Sequence, residues 1–290
     1  MTKLLRGSLC SLTGLTLLAA CLAGGPTHAA DAPPRPPQIL LVDEAGWEGA
    51  VPANVVAVLE SAGSQLLQHV PAAGQPTIAV AARGGPITLF DRTPEGHFQV
   101  RLDTGGNLWA QYGFQFGHEL CHVLCRSGRT TRTHLWFEEA LCETASLFVL
   151  RGMADAWEQE PPYPNWRGFA PHLRDYATKR LAQSPRPPQL PLADWYARHR
   201  DELRERPTDR DNGLAIAAAL LPLFEEDPSR WAAIHWLNAS ERPQPADFRD
   251  HLAAWRGRVP AEQAEAVETI ARAFGTPLPP VNGQAGPSGP

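Results

Sequence analysis

The segment GHELCHVLC, Gly117 to Cys125, sets the tightest condition on the fold, because it places two histidines and a glutamate in an otherwise apolar stretch. Trp109, Phe114, Phe116, Leu120, Val123 and Leu124 surround them at helical spacing, which predicts a largely buried helix over 107–126. Buried imidazoles and carboxylates are costly unless they find partners. On a helix, positions i and i+4 lie about 40° apart around the axis and one turn along it. His118 and His122 therefore project from one face, close enough to hold a single metal ion. Glu119 stands on the flank, where its carboxylate can reach a water in the metal's open position and take its proton. A catalytic zinc site keeps three protein ligands plus water, so a third ligand must come from elsewhere in the chain.

A glycine and a third histidine do not follow the pair: Cys125 and Gly128 stand at those places. Downstream comes LWFEEALCETAS, Leu135 to Ser146, on a second predicted helix over 134–151. With this stretch behind it, the chain resembles the gluzincin zinc metallopeptidases over about residues 97–150. In that group a glutamate on the next helix completes the zinc site, often within a stretch like W-L-N-E-G-x-A. The resemblance makes Glu139 the third ligand beside His118 and His122. Glu138 and Ala140 replace the Asn and Gly of the pattern, which keeps Glu138 open as the alternative ligand. By spacing, Glu139 and Glu143 share a face while Glu138 points about 100° away. Glu143 is then a candidate to accept a hydrogen bond from the other ring nitrogen of a ligand histidine. The plain alternative for all three glutamates is a solvated acidic face. The resemblance further implies a sheet strand that pairs with extended substrate, for which His97 to Leu102 is in the right place, although an ordinary core strand reads the same. It also implies a Tyr or His that stabilises the oxyanion, with Tyr176, Tyr196, His172 and His199 available.

Around these helices the pattern is α+β. Strands are expected at Gln38–Val42, Thr77–Ala82, Ile87–Phe90 and His97–Leu102, the last alternating Phe98, Val100 and Leu102 on one face. A helix is expected over 54–69. Beyond Pro161 only helical segments follow, at about 167–183, 193–205, 210–225, 228–238, 245–256 and 260–274. The organisation expected is a strand-containing catalytic subdomain over 38–160, a helical subdomain over 161–274 and a disordered tail over 275–290.

Residues 1–30 read as an export signal, with Lys3 and Arg6 ahead of an uncharged apolar run too short for a comfortable membrane span. LAAC, Leu18 to Cys21, resembles a bacterial lipobox, and cleavage in the small-residue stretch THAA is the alternative. Residues 31–37 read as a Pro-rich tether. The expected location is the periplasm or the outer membrane, with a possible lipid anchor at Cys21, or secretion. After export Cys121, Cys125 and Cys142 remain, an odd number that allows one disulfide or three buried thiols. A bond from Cys121 or Cys125 to Cys142 would staple the two ligand helices. A net charge of −5 over 290 residues, without basic runs, gives no case for nucleic acid. The function expected is hydrolysis of peptide bonds in a peptide or protein substrate by a Glu119-activated water on zinc. A non-catalytic envelope binding or assembly protein on a peptidase-like fold, and zinc hydrolysis of a non-peptide amide, are the alternatives.

Overall fold

The computed structural model describes residues 35–42, 44–126, 132–240 and 245–279. The expected signal segment with Cys21, the tether up to residue 34, loop residues 127–131 and the tail from residue 280 lie outside the described residues. A four-stranded sheet is formed by β1 (Gln38–Val42), β2 (Thr77–Ala81), β3 (Ile87–Leu89) and β4 (Phe98–Arg101), in the spatial order β1-β2-β4-β3. The first three neighbours run parallel, with Ile39 opposite Ile78 and Val80 opposite Val100. These apolar side chains are buried, so all four runs form strands where their composition places them. A parallel pair needs a crossover, and α1 (Pro52–Leu67), opening on a proline at its first turn, supplies it between β1 and β2.

The strand taken for the substrate-pairing position, His97 to Leu102, is not at an edge. β4 lies between β2 and β3, and the short antiparallel β3 forms the outer strand on that side. Order within a sheet is set by long-range pairing that a strand's own residues do not encode. Gly84 and Gly85 bring β3 back alongside β4. Gly84 has φ 84°, and a Cβ on Gly85 would stand 2.1 Å from the Arg101 carbonyl oxygen.

Against the sheet lies α2 (Trp109–Leu124), which in turn packs along α3 (Leu135–Gln159), the helix at the centre of the molecule. Gly113 and Gly117, one turn apart, face α3 and permit this close approach. A Cβ on Gly117 would lie 3.2 Å from Val149 Cβ and 3.3 Å from Ser146 Cα. α3 runs eight residues past the expected end at Arg151, because Leu150, Met153, Ala154 and Trp157 continue its buried face. Gly152 is a contact position under Gln65 of α1.

The remaining helices are α4 (Ala170–Leu181), α5 (Leu192–Glu205), α6 (Arg210–Glu226), α7 (Phe248–Arg256) and α8 (Ala264–Ala273). Asp209 and Asp247 cap α6 and α7 by accepting from the free backbone N–H groups of their first turns. The segment expected as a helix over 228–238 is a 3-10 helix, Pro228–Trp236, and another 3-10 turn, Pro164–Phe169, precedes α4. The described residues between 35 and 279 form one compact unit whose apolar core runs from Ile39 to Phe274, so packing does not break near residue 160. Two expected loose segments are partly tied down. Pro37 is buried against Gly63, and Leu278 packs on the core while Arg249 Nε donates to Pro277 O (3.1 Å). No helix among the described residues is long and apolar enough to cross a membrane.

At the N-terminus of α3, His134 stacks on His251 of α7 with ring centroids 4.2 Å apart, beside Phe137 and Phe248. Burial, then the neighbouring His134 and the Arg258 guanidinium, push the His251 imidazole down to about 3. In the unfolded chain it titrates near 6.5. Between those values the unfolded chain holds a proton that the folded chain lacks, so stability rises with pH. The contribution is complete above about pH 6.5 and falls away by up to about 1.4 kcal/mol per pH unit toward pH 3. His251→Leu should therefore flatten the dependence of unfolding free energy on pH between about 4 and 6. The same change of unfolding free energy with pH in both proteins, read by urea denaturation at several pH values, would refute this.

Candidate metal centre

α2 contributes His118, Glu119 and His122, and α3 contributes Glu138, Glu139 and Glu143, all gathered where the two helices cross. The imidazole centroids are 5.0 Å apart. His118 Nε2 lies 3.2 Å from one oxygen of Glu139, and His122 Nε2 lies 3.7 Å from the other. Two donors bonded at about 2.05 Å to one tetrahedral ion stand about 3.3 Å apart. The Glu139 carboxylate thus turns one oxygen toward each imidazole, at about that separation from His118 and farther from His122. It is also a quarter exposed, whereas Glu138 is fully enclosed.

Behind the imidazoles stand the other two carboxylates. His122 Nδ1 lies 2.7 Å from Glu138 Oε1. A carboxylate only accepts, so a proton sits on Nδ1, and an ion binding at Nε2 would have to displace the second proton that the surrounding carboxylates favour there. The second oxygen of Glu138 accepts from Asn238 Nδ2 at 2.8 Å. Glu143 Oε2 is 3.9 Å from His118 Nδ1, an ion-pair separation rather than a hydrogen bond, and its other oxygen accepts from Arg180 Nε at 2.9 Å. Glu119 is held from the sheet: the Thr88 hydroxyl of β3 lies 2.8 Å from Glu119 Oε2 and 2.9 Å from Glu119 O.

The alternative of a solvated acidic face over Glu138, Glu139 and Glu143 does not hold, because Glu138 and Glu143 are buried and Glu139 is only a quarter exposed, and Glu119 beside them is buried as well. Four carboxylates therefore crowd two imidazoles. Burial alone would lower the His122 imidazole, but the Glu138 contact, with the charges of Glu139 and Glu119, pushes it up to about 10. Burial likewise works to raise Glu139, yet His118, His122 and Arg210 hold its carboxyl below the ordinary value. The centre needs positive charge, and a divalent cation answers that need directly. The residues present fit such an ion.

A second donor reaches the same imidazoles. One nitrogen of His118, one of His122 and Cys142 Sγ lie within 4.8 Å of one another, and among the described residues this is the group whose donors stand close enough together to hold a metal ion. Cys121, Cys125 and Cys142 are all free and buried, so the alternative of three buried thiols holds and no disulfide staples α2 to α3. Burial raises the Cys142 thiol well above its ordinary value, while Cys121 hydrogen bonding partly offsets this.

Of the four candidates for the oxyanion role, Tyr176 alone has the centre's own groups as charge neighbours, Arg180 and Glu143, and its ring packs on Phe114. Tyr196 is stacked among Trp136, Phe248 and Phe274. His199 lies flat on Trp195 with Nδ1 2.8 Å from the Trp195 carbonyl oxygen, and His172 sits exposed beside Phe169. Thr88, Arg180, Arg210 and Asn238 carry no motif and were not foreseeable from spacing. A threonine between the apolar Ile87 and Leu89 was the faint sign of Thr88. No family model, curated protein or solved structure matches the chain.

Removing Glu138 takes away the shared acceptor of two buried donors and the counter-charge of His122. In the presence of chelator, Glu138→Ala should lose about 3–5 kcal/mol of unfolding free energy. A loss comparable to that of an exposed carboxylate, read by urea denaturation, would show that the pairing carries no such weight.

Proposed function

We propose that the chain is an exported zinc metallopeptidase of gluzincin type, with zinc held by His118, His122 and Glu139. The observation that carries the reading is the Glu139 carboxylate turning one oxygen toward the Nε2 of each imidazole, with Glu138 behind one imidazole and Glu143 beside the other. Glu138 is engaged on the Nδ1 side of His122, which supports Glu139 over it as the third ligand. Glu139 is preferred over Cys142 because it spans both Nε2 atoms and faces the side that solvent reaches. Two imidazoles and one carboxylate make the donor set that suits hydrolytic zinc, which would supply a water of lowered pKa and polarise the scissile carbonyl.

The chain's own groups do the rest. Glu119, oriented by Thr88, takes the proton of the attacking water and returns it to the departing amine nitrogen. Glu138 keeps the His122 ring turned, Glu143 places its charge beside the His118 ring, and Asn238 and Arg180 keep those carboxylates in place. Tyr176 is the candidate to donate to the carbonyl oxygen as its charge grows. An extended peptide can add along the outer side of β3, where Thr88 leads straight to Glu119 and where Ile87 and Phe90 are exposed for apolar side chains. Reading residues 1–30 as an export signal puts this activity in the periplasm or outer membrane, on peptide or protein substrates.

The wild-type protein should bind about one zinc per chain, lost in His122→Ala and in Glu139→Ala. Glu119→Gln should keep the zinc while cleavage of unfolded casein falls about 10²-fold or more. Full zinc content in Glu139→Ala, measured by atomic emission, overturns the ligand set, and unchanged casein cleavage by Glu119→Gln overturns the mechanism.

A further inference from the structure

The two imidazoles of the centre are flanked by different donors on opposite terms. Glu139 is partly exposed and Cys142, three residues later on α3, is completely enclosed. Three positions on a helix correspond to about 300° of rotation, so both side chains issue from the surface that α3 turns toward α2. Cys142 Sγ lies within 4.8 Å of a nitrogen of each imidazole. The sulfur is not isolated either, since Cys121 and Cys125, with their Sγ atoms 3.9 Å apart, line the same interior side. The imidazole pair therefore has a carboxylate toward solvent and a thiol toward the core.

We infer that the centre has two donor sets for two classes of ion: an outer set of His118, His122 and Glu139 for zinc, and an inner set of His118, His122 and Cys142 for a soft divalent cation such as cadmium. This rests on the reading of the centre as a metal site, and it adds a specificity that the peptidase reading does not contain. The reason is donor chemistry. A carboxylate is a hard ligand and zinc accepts it readily, whereas thiolate sulfur favours softer ions. Entry of the soft ion breaks the Cys142 S–H bond, forms a sulfur–metal bond and releases one proton to solvent. The shared imidazoles make the two sets mutually exclusive, so a soft ion displaces zinc from the chain instead of joining it.

The test uses the purified full chain with cadmium and with zinc separately. One equivalent of cadmium should produce thiolate-to-cadmium charge-transfer absorption in the ultraviolet. The band should vanish in Cys142→Ser, persist in Cys121→Ser and persist in Glu139→Ala. Zinc content should show the opposite pattern, kept in Cys142→Ser and lost in Glu139→Ala. Cadmium added to the zinc-loaded protein should release zinc to a chromophoric indicator. X-ray absorption on cadmium-loaded wild type reads the sulfur scatterer directly and does not depend on any variant folding. Cadmium bound without sulfur, or a band that survives in Cys142→Ser, overturns the inner set while leaving the zinc reading intact. Zinc lost from Cys142→Ser but kept in Glu139→Ala overturns both the division of donors and the proposed zinc ligands. Failure of the wild type to bind either ion overturns the metal centre altogether.

Discussion

Burying carboxylates between two helices is the constraint around which the molecule is arranged. Glu138 has no exposure, and Glu119 and Glu143 have little, yet all three sit in an interior otherwise made of Leu, Val, Phe and Trp. Such groups persist only where every one of them has a partner. The partners come from four separate elements: Thr88 from the sheet, the imidazoles from α2, Arg180 from α4, and Asn238 from beyond the 3-10 helix Pro228–Trp236. The close crossing of α2 and α3, permitted by Gly113 and Gly117, brings the imidazoles within reach of the carboxylates. The glycines are a packing requirement with a chemical consequence.

The polar centre also explains why α3 is the central helix. It is buried nearly all round, meeting α1, α2, α4 and α6. Its first four turns offer almost no solvent-facing side, so Glu138 and Glu143 cannot turn toward water. Their orientation is decided by whichever neighbour can accept or donate, which is how one glutamate comes to face His122 and the other Arg180.

Much of this was legible in the sequence. The four strands follow from apolar, β-branched runs such as QILLV and TIAVA, and α2 from the spacing of its aromatic and aliphatic residues. The gathering of His118, Glu119, His122, Glu139 and Glu143 follows from helical periodicity on two neighbouring helices. What could not be read depends on contacts between distant segments. Sheet order put β3 at the edge and β4 inside, although β4 has the better strand pattern. The three glutamates look the same in sequence as a solvated face, because periodicity says which residues share a side and not what that side meets. Asn238 lies a hundred residues from its partner Glu138, and no local pattern announces it.

These long-range partners bear on how far the centre can be assigned to one stretch of chain. The ligand candidates all fall within 118–143, inside the 38–160 segment that composition marks off. The groups that hold those candidates do not. Arg180 pairs with Glu143, Asn238 with Glu138, and the positive charge of Arg210 acts on Glu139. A segment ending near residue 160 would keep both imidazoles and all four carboxylates but lose the cations and the amide that make their burial tolerable. Mutual repulsion among the carboxylates would then act against the α2–α3 crossing itself. The helices after residue 160 are therefore part of the site's construction, and the continuous core from Ile39 to Phe274 is the packing counterpart of that electrostatic dependence.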